Sequence, residues 1–470
     1  MSAVAHVWAE PNARYVERLG WTAVLEAQLE LGFISDSDQA KTALATYRNV
    51  LAHSHNRLDA SHYPHGVMRR REEFELDSGD RPDKTHIGLA SSDIVDLRVA
   101  VQTAQSAELL SKQLLALFDR FYTFFGQESL RRGVLAARTH GEEAHAVPAM
   151  RRVAPALMPL VRGLCWLSNE RLAEWRGIGG ATGGMRDLAV MYRMSNGLGD
   201  SVTDSDRLQV ALHRLNAAVA GRLGLSLISG RDDAHAGALM PQDGCHTVDR
   251  EQAYLFAQLG GLLRSFCDQV RLWHAIGFAS TSPPLVSCQT GTSSSMLHKR
   301  SGWEWERLRS VALTMQGEAA MLADALYPAS WLEGDVSSHA VRHRCLPILW
   351  MAAEEAVDQL AYLLPRTQLK PPGDVDEFGL VSADEFTSAA AACLAAEDGS
   401  GWAHAREYLQ GPERRLSKEM IDAVQDQLAY DCNRCFRSVF EARRALHQNL
   451  QQDRLAYQRM GLPDVHRAAS

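Results

Sequence analysis

An all-α fold built around a long central helical bundle is the architecture this chain predicts, on three observations. Apolar residues recur at steps of three and four over long stretches. Runs that alternate polar and apolar with period two are almost absent. The periodic stretches also outlast an ordinary globular helix, which averages about 11–12 residues. Loop punctuation then divides the chain into an N-terminal helical domain (1–96), a central long-helix bundle (97–364) carrying a loop at 289–302, and a C-terminal helical domain (365–470).

The elements follow in order. Residues 77–83 (Asp-Ser-Gly-Asp-Arg-Pro-Asp) form a loop ahead of the first long helix. From Val101 onward, Ala104, Leu109, Leu110, Leu114, Leu117, Phe118, Phe121 and Phe125 keep one apolar face for about seven turns. Residues 177–184 (Gly-Ile-Gly-Gly-Ala-Thr-Gly-Gly) read as a tight turn between helices. No Lys-Ser/Thr follows, as a phosphate-cradling loop needs, and no strand precedes, as a dinucleotide site needs. Such a turn lets a ligand approach the main chain. A second pattern, 250–278, carries Ala253, Leu255, Leu259, Leu262, Leu263, Phe266 and Val270; a third spans 303–326 and a fourth 345–364. Pro371-Pro372-Gly373 lies in the segment that separates the bundle from the C-terminal helices.

Composition narrows the function classes. Hydrophobic content of 46% and charged content of 23% suit a soluble globular protein, and a net charge of -8 gives no reason to expect nucleic acid or an anionic membrane as partner. No apolar run approaches the roughly 18–20 residues that span a bilayer. The first residues, with Glu10 and Arg14, lack the apolar stretch of a secretory leader, so a cytoplasmic protein is expected. The eight cysteines then read as small buried hydrophobes. Cys432 and Cys435 have CxxC spacing, but the second pair of a zinc ribbon is missing, and no metal is expected.

Four segments carry side chains suited to chemistry. The run Thr292 to Arg300 (Thr-Ser-Ser-Ser-Met-Leu-His-Lys-Arg), led by Gly291, is polar and basic; it reads either as a solvated loop or as a lid that carries a base. His65 precedes the basic cluster Arg69-Arg70-Arg71. His86 opens a polar turn into the first long helix, where Ser91, Ser92 and Asp93 suit a cap and uncapped N–H groups suit a carboxylate. His140 follows Arg138-Thr139 at a break between helical patterns. Taken singly, a loop histidine or a simple cap accounts for each.

Taken in order, these segments resemble the fumarase/aspartase superfamily, within it the adenylosuccinate lyase-like branch, over nearly the whole chain. Residues 21–34 resemble its N-terminal helix. Residues 86–96 are similar to its H-x-G-L-T-S-x-D-x-x-D motif, 138–144 to R-T-H-G-x-x-A, and 180–183 to the G-A-V-G turn. Residues 293–299 resemble the signature S-S-x-M-P-x-K, and 331–347 the W-x-E-R-D-I-S-H-S-S…L-P segment. Each motif alone is weak; their shared order is specific.

The resemblance implies a lyase that breaks a bond next to a carboxylate and releases fumarate, with no metal or organic cofactor. The carbon acid is weak, and its carbanion puts two negative charges on one carboxylate, so both a base and electrostatic stabilisation are needed. The implied base is Ser293, with Lys299 stabilising the carbanion and His140 as the acid for the leaving nitrogen. His65 supports that acid. His86, Ser91, Ser92, Thr139, Ser294, Arg300, Glu306 and Ser337 are the implied substrate-binding residues. The implied partners are a small dicarboxylate substrate and further copies of the chain, in a homotetramer with shared sites.

Departures from the family pattern bear on the substrate. Leu297 replaces a Pro, Ser301-Gly302 replace Asn-Pro, and Ala90 replaces a Thr. Gly334, His339, His343 and Leu313 stand where the resemblance implies groups that hold a nucleotide phosphate, with Arg342 or Arg344 as stand-ins after a one-residue shift. The expectation is elimination of a nitrogen leaving group from an N-substituted aspartate or succinate, on a substrate without a nucleotide phosphate, such as nitrosuccinate. The alternatives are a true adenylosuccinate lyase, a carboxymuconate cycloisomerase-like enzyme, and a catalytically silent tetrameric scaffold.

Overall fold

The computed structural model describes residues 2–53, 57–62, 65–79, 84–140, 142–228, 247–275, 279–281, 295–296, 302–326, 337–371, 373–374, 392, 396 and 418–464. Helices dominate. The first four are α1 (Ala3–Val7), α2 (Glu10–Glu30), α3 (Asp38–Asn49) and α4 (Gly66–Asp77). The long α5 (Ser91–Phe125) follows, then α6 (Glu128–Arg131), α7 (Met150–Cys165), α8 (Arg186–Asn196) and α9 (Val202–Arg222). The remainder are α10 (Thr247–Ala275), α11 (Trp303–Ala325), α12 (Ser337–Leu363) and α13 (Lys418–Met460). None of the described helices is both long and apolar enough to cross a membrane.

The bundle is organised on α5, whose 35 residues span about 50 Å. Its apolar stripe is buried from Leu97 through Val101, Ala104, Leu110, Leu114, Leu117, Phe118 and Phe121 to Phe125. The direction of each neighbour follows from its polar contacts. Near the start of α12, Arg342 pairs with Asp96 of α5, and near its end the Ala361 carbonyl accepts from Arg120, so the two helices run parallel. Helix α10 runs the same way: it lies against α11 with Gly260 facing Gln316 and Asp268 pairing with Arg309 at 2.8 Å, so the two are antiparallel and α10 shares the direction of α12. Helix α11 runs against α12, with Arg307–Glu355 at 3.1 Å and Arg344–Glu318 at 3.4 Å. Helix α13 is also reversed, since Arg443 pairs with Asp119 and Gln105 donates to the Pro463 carbonyl at 2.6 Å.

Two helices begin earlier than apolar periodicity suggests. Helix α5 starts at Ser91 and α12 at Ser337, because their opening turns bury polar groups: Ser92, Asp93 and Asp96 on α5, and Arg342 on α12. A hydropathy pattern does not register a buried ion pair.

Strands are few, and one pair fills the break between helical patterns around His140. Residues 133–148, expected to lie between helical patterns, form an antiparallel hairpin of β1 (Gly133–Thr139) and β2 (Glu142–Pro148). Its register shifts between Ala136 and Arg138, which breaks the period-two alternation that would have marked it. A two-residue strand, β3 (Glu174–Trp175), does precede the Gly-rich turn, pairing in parallel with β4 (Ser226–Leu227). Strand β5 (Ala279–Thr281) pairs with β6 (Thr367–Leu369), and β7 (Gly373–Asp374) adds to the free edge of β1.

Close helix packing depends on a missing side chain at Gly260 of α10. A Cβ there would lie 2.8 Å from the Ala312 carbonyl oxygen and 2.9 Å from Gln316 Cγ of α11. At Gly261 the nearest atom is Gln316 Nε2 at 3.6 Å. Gly260→Leu is therefore expected to lower stability by about 1–3 kcal/mol. Gly261→Ala should raise it by about 0.5 kcal/mol through helix propensity. Urea denaturation of both variants checks the contrast.

Candidate active site

The N-terminal end of α5 gathers several candidate residues. The loop into it turns through left-handed backbone at His86 (φ 70°) and Gly88 (φ 72°). At Gly88 a Cβ would meet Leu188 Cδ2 at 2.6 Å, so glycine is needed for both angle and space. Thr85 anchors the same loop by donating to Glu75 at 2.7 Å.

His86 is held by the indole of buried Trp21, whose Nε1–H donates to His86 Nδ1 at 3.1 Å. Nδ1 is thus an acceptor, and the proton of the neutral ring sits on Nε2. Burial, with Arg71 and His65 nearby, lowers the His86 pKa to about 4. His65 caps α4: its Nδ1 accepts from the Met68 N–H at 3.4 Å, which leaves Nε2 as its outward donor too. Both histidines therefore present fixed donors.

The cap of α5 differs from expectation. Ala90 occupies the N-cap, and Asp93 reaches back to accept from the Ala90 N–H at 2.8 Å, so neither Ser91 nor Ser92 caps the helix. Ser92 Oγ is buried with no hydrogen-bond partner among the described residues. Asp93 also accepts from Gly179 N at 2.7 Å and Gly180 N at 3.1 Å. The Gly-rich turn thus directs these two N–H groups at a carboxylate of the protein rather than at a ligand. Burial raises the Asp93 pKa, against the opposing pull of Arg176 and the three backbone donors.

Below the cap lies a buried ion network. Arg176 Nε sits 2.7 Å from Asp96 Oδ2, and Arg342 pairs with Asp96 and, at 2.7 Å, with Asp249. Arg342 is thereby committed to the interior and is no stand-in for a phosphate ligand; Arg344 points outward to Glu318. Its neighbour His343 faces the other way, into a cleft of about 570 Å³ lined by His65, Arg70, Val95, Arg98 and Gln102 among others. Surrounding protein atoms, with Arg98 and Arg342 close by, push the His343 pKa down to about 3, although the residue as a whole is exposed to solvent. Ser337 is exposed at the first turn of α12.

The remaining candidates lie elsewhere. His140, with φ 53°, is exposed at the tip of the β1–β2 hairpin, and Thr139 ends β1. Gly133, at the base of that hairpin, is lodged against Pro371. The neighbouring 367–369 segment bonds to Gln127, just past the C-terminal end of α5. Seven strand residues reach back at most about 23 Å along a helix of about 50 Å. His140 and His86 therefore stand more than about 20 Å apart within one chain. Glu306, near the start of antiparallel α11, is exposed and pairs with Arg271 at 3.5 Å, also toward the α5 C-terminal end. Ser293, Ser294, Lys299 and Arg300 lie outside the described residues; β5 and α11 flank their segment.

Sequence reasoning missed Trp21 as the partner of His86. It also missed Glu17 of α2, which joins Arg70 and Arg98 beneath the cleft. The Arg69-Arg70-Arg71 cluster was a visible signal, but its partners come from other helices.

No protein-family model matches the chain. It is similar to an adenylosuccinate lyase of Synechocystis sp., 25% identical over 331 residues, which are 69% of this chain and 66% of that protein. The matched stretch is thus just under two thirds of that relative. A second adenylosuccinate lyase, from Caenorhabditis briggsae, is 22% identical over 364 residues, covering 76% of this chain and 70% of its own length. Among solved structures, a fumarate lyase from Mesorhizobium sp. BNC1 superposes with a TM-score of 0.64 at 15% identity, over 92% of this chain and 97% of its own. A 3-carboxy-cis,cis-muconate lactonizing enzyme from Pseudomonas putida does so at 0.65 and 16%, over 97% of both chains. These likenesses support the resemblance to the fumarase/aspartase superfamily and its adenylosuccinate lyase-like branch, and the chain has the fold of the superfamily's solved lyases.

The fold places a neutral His86 at a conformationally fixed turn. The unfolded histidine takes a proton near pH 6.5, whereas the folded one does so only near 4. The stabilising contribution is thus complete above about pH 6.5 and is lost as pH falls toward 4. His86→Asn, which tolerates the left-handed backbone, is expected to flatten this part of the stability–pH curve by on the order of 2 kcal/mol. Urea midpoints between pH 4 and 7 check it.

Proposed function

We propose that the protein is a carbon–nitrogen lyase that releases fumarate from an N-substituted aspartate or related succinate, as a homotetramer with active sites shared between copies. One observation carries the shared-site reading. His65, His86, Ser91, Ser92 and Ser337 cluster toward one end of the bundle, while His140, Glu306 and the flanks of the serine segment belong toward the other. A helix of about 50 Å keeps these groups apart in one chain. Antiparallel association of copies would bring one copy's histidine end to another's hairpin and serine segment.

In this reading Ser293 takes the proton from the carbon beside the substrate carboxylate. The electron pair left behind moves into that carboxylate as an aci-carboxylate, stabilised by Lys299. Its return forms the carbon–carbon double bond of fumarate as the carbon–nitrogen bond breaks, and His140 supplies a proton to the leaving nitrogen. Thr139, Ser91, Ser92, Ser294, Arg300, Glu306 and Ser337 serve binding. His65 and His86 donate through Nε2, since each Nδ1 already accepts a hydrogen bond. The internal commitment of Arg342 favours a substrate without a nucleotide phosphate, such as nitrosuccinate.

The test is fumarate formation, followed by its short-ultraviolet absorbance, with adenylosuccinate, argininosuccinate, aspartate and nitrosuccinate. At least one is expected to turn over, and Ser293→Ala should lower kcat by about 10²–10⁴-fold. Turnover that survives Ser293→Ala, or none at all, overturns the mechanism. Efficient cleavage of adenylosuccinate overturns the non-nucleotide part. Shared sites make a further prediction. His65→Ala and His140→Ala, each inactive alone, should regain activity when unfolded together and refolded as a mixture; no recovery speaks against sites built from several copies.

A further inference from the structure

The cleft beside His65 has a charge pattern that the elimination chemistry does not explain. Several arginines nearby have carboxylates of their own: Arg18 pairs with Asp77 at 2.7 Å, Arg14 with Glu10 at 2.8 Å and also with Glu73, and Arg342 with two aspartates. Arg70 and Arg98 instead share Glu17. Its Oε1 accepts from Arg98 at 2.7 Å and from Arg70 at 2.8 Å, and its fully buried side chain carries a single charge. Two guanidiniums on one carboxylate leave one positive charge over, and the described residues lining the cleft include no carboxylate.

The outer face of Arg98 is poorly satisfied. Its Nη2 meets only the ring nitrogens of His343, at 3.1 and 3.3 Å, and its Nε is buried without a hydrogen-bond partner among the described residues. A neutral imidazole is a weak partner for a guanidinium, and a planar oxyanion entering the cleft would replace it with a charge-assisted bond. One surplus charge matches a monoanion. A phosphate monoester, with close to two charges near neutral pH, would leave one of them uncompensated in a partly desolvated site.

Resting on the lyase reading above, we propose that Arg98 and Arg70, with His343 at the rim, bind a carboxylate carried by the leaving amine, so that among substrates without a nucleotide phosphate the site favours an N-succinyl amine whose amine half is itself a monocarboxylate over nitrosuccinate, whose leaving group has no carboxylate. Arg98 makes the contact, Glu17 holds the pair of arginines in place, and His343 yields its position at Arg98.

The experiment measures binding rather than turnover, using the Ser293→Ala protein and calorimetry near neutral pH with three probes that share one ring and one amine: aniline, 4-aminobenzoate and 4-aminophenyl phosphate. The expected order is 4-aminobenzoate tightest. Arg98→Gln should weaken it by about ten- to a hundredfold while leaving aniline unchanged. Arg98→Lys, which keeps the ion pair with Glu17, serves as the folding control and should retain part of the preference over aniline. A carboxylate probe that binds no better than aniline, a phosphate probe that binds best, or an Arg98→Gln protein with unchanged affinities overturns the proposal. Because no fumarate is formed in this assay, its failure leaves the lyase reading standing, and an inactive substrate panel leaves a positive binding result standing.

Discussion

The buried ion network at the head of α5 is the constraint on which the rest of the site depends. Asp93 and Asp96, one turn apart, accept from the helix's own N-cap, from the Gly-rich turn, from Arg176 and from Arg342, while Arg342 continues to Asp249 of α10. Segments far apart in sequence therefore meet on two neighbouring carboxylates. Removing one partner would leave a charge buried without compensation, a loss of about 3–5 kcal/mol. Replacing the whole set by well-packed apolar residues could be neutral in energy, so what such a network supplies is position. Here that position is the register of α12 against α5.

Register matters because adjacent residues face opposite ways. Arg342 points inward to Asp96 and Asp249, and on the same turn His343 points into the cleft. On α5, Asp96 is inward and Arg98, two residues on, reaches Glu17 and His343. A slip of one residue on α12 would exchange a buried guanidinium for an imidazole on the inside. The network thus determines which side chains line the cleft without touching anything in it. This also accounts for the arginine that reads in sequence as a spare phosphate ligand but is structural in the fold.

Legibility in the sequence followed the kind of force involved. Helices α10 and α11 begin and end within a few residues of their apolar patterns, because hydrophobic burial with a helical period is a local signal. The first turn of α5 was marked only by its polar Ser91-Ser92-Asp93 run, and that of α12 escaped the apolar pattern, because both turns bury charges, whose partners lie up to 246 residues away. The β1–β2 hairpin was hidden by its bulge; among its described side chains, Val134 packs against Leu428 and Cys432. Motif resemblance singled out His65 and His86 but not their orientation. That comes from the Met68 N–H and the Trp21 indole, each offered to Nδ1.

Tautomer locking has a consequence for how work divides along the bundle. A histidine whose Nδ1 accepts a protein N–H can take a second proton only by giving up that bond, so it serves better as a fixed donor than as a proton shuttle. His86 is of this kind and is further held neutral by burial. His140 is exposed at a hairpin tip. In the proposed reading, proton transfer therefore belongs with the hairpin and the serine segment, and substrate orientation belongs with the head of α5. The length of α5 enforces that division within one chain, so in the proposed assembly one copy supplies the proton-transfer groups of a site and another copy supplies the groups that orient the substrate.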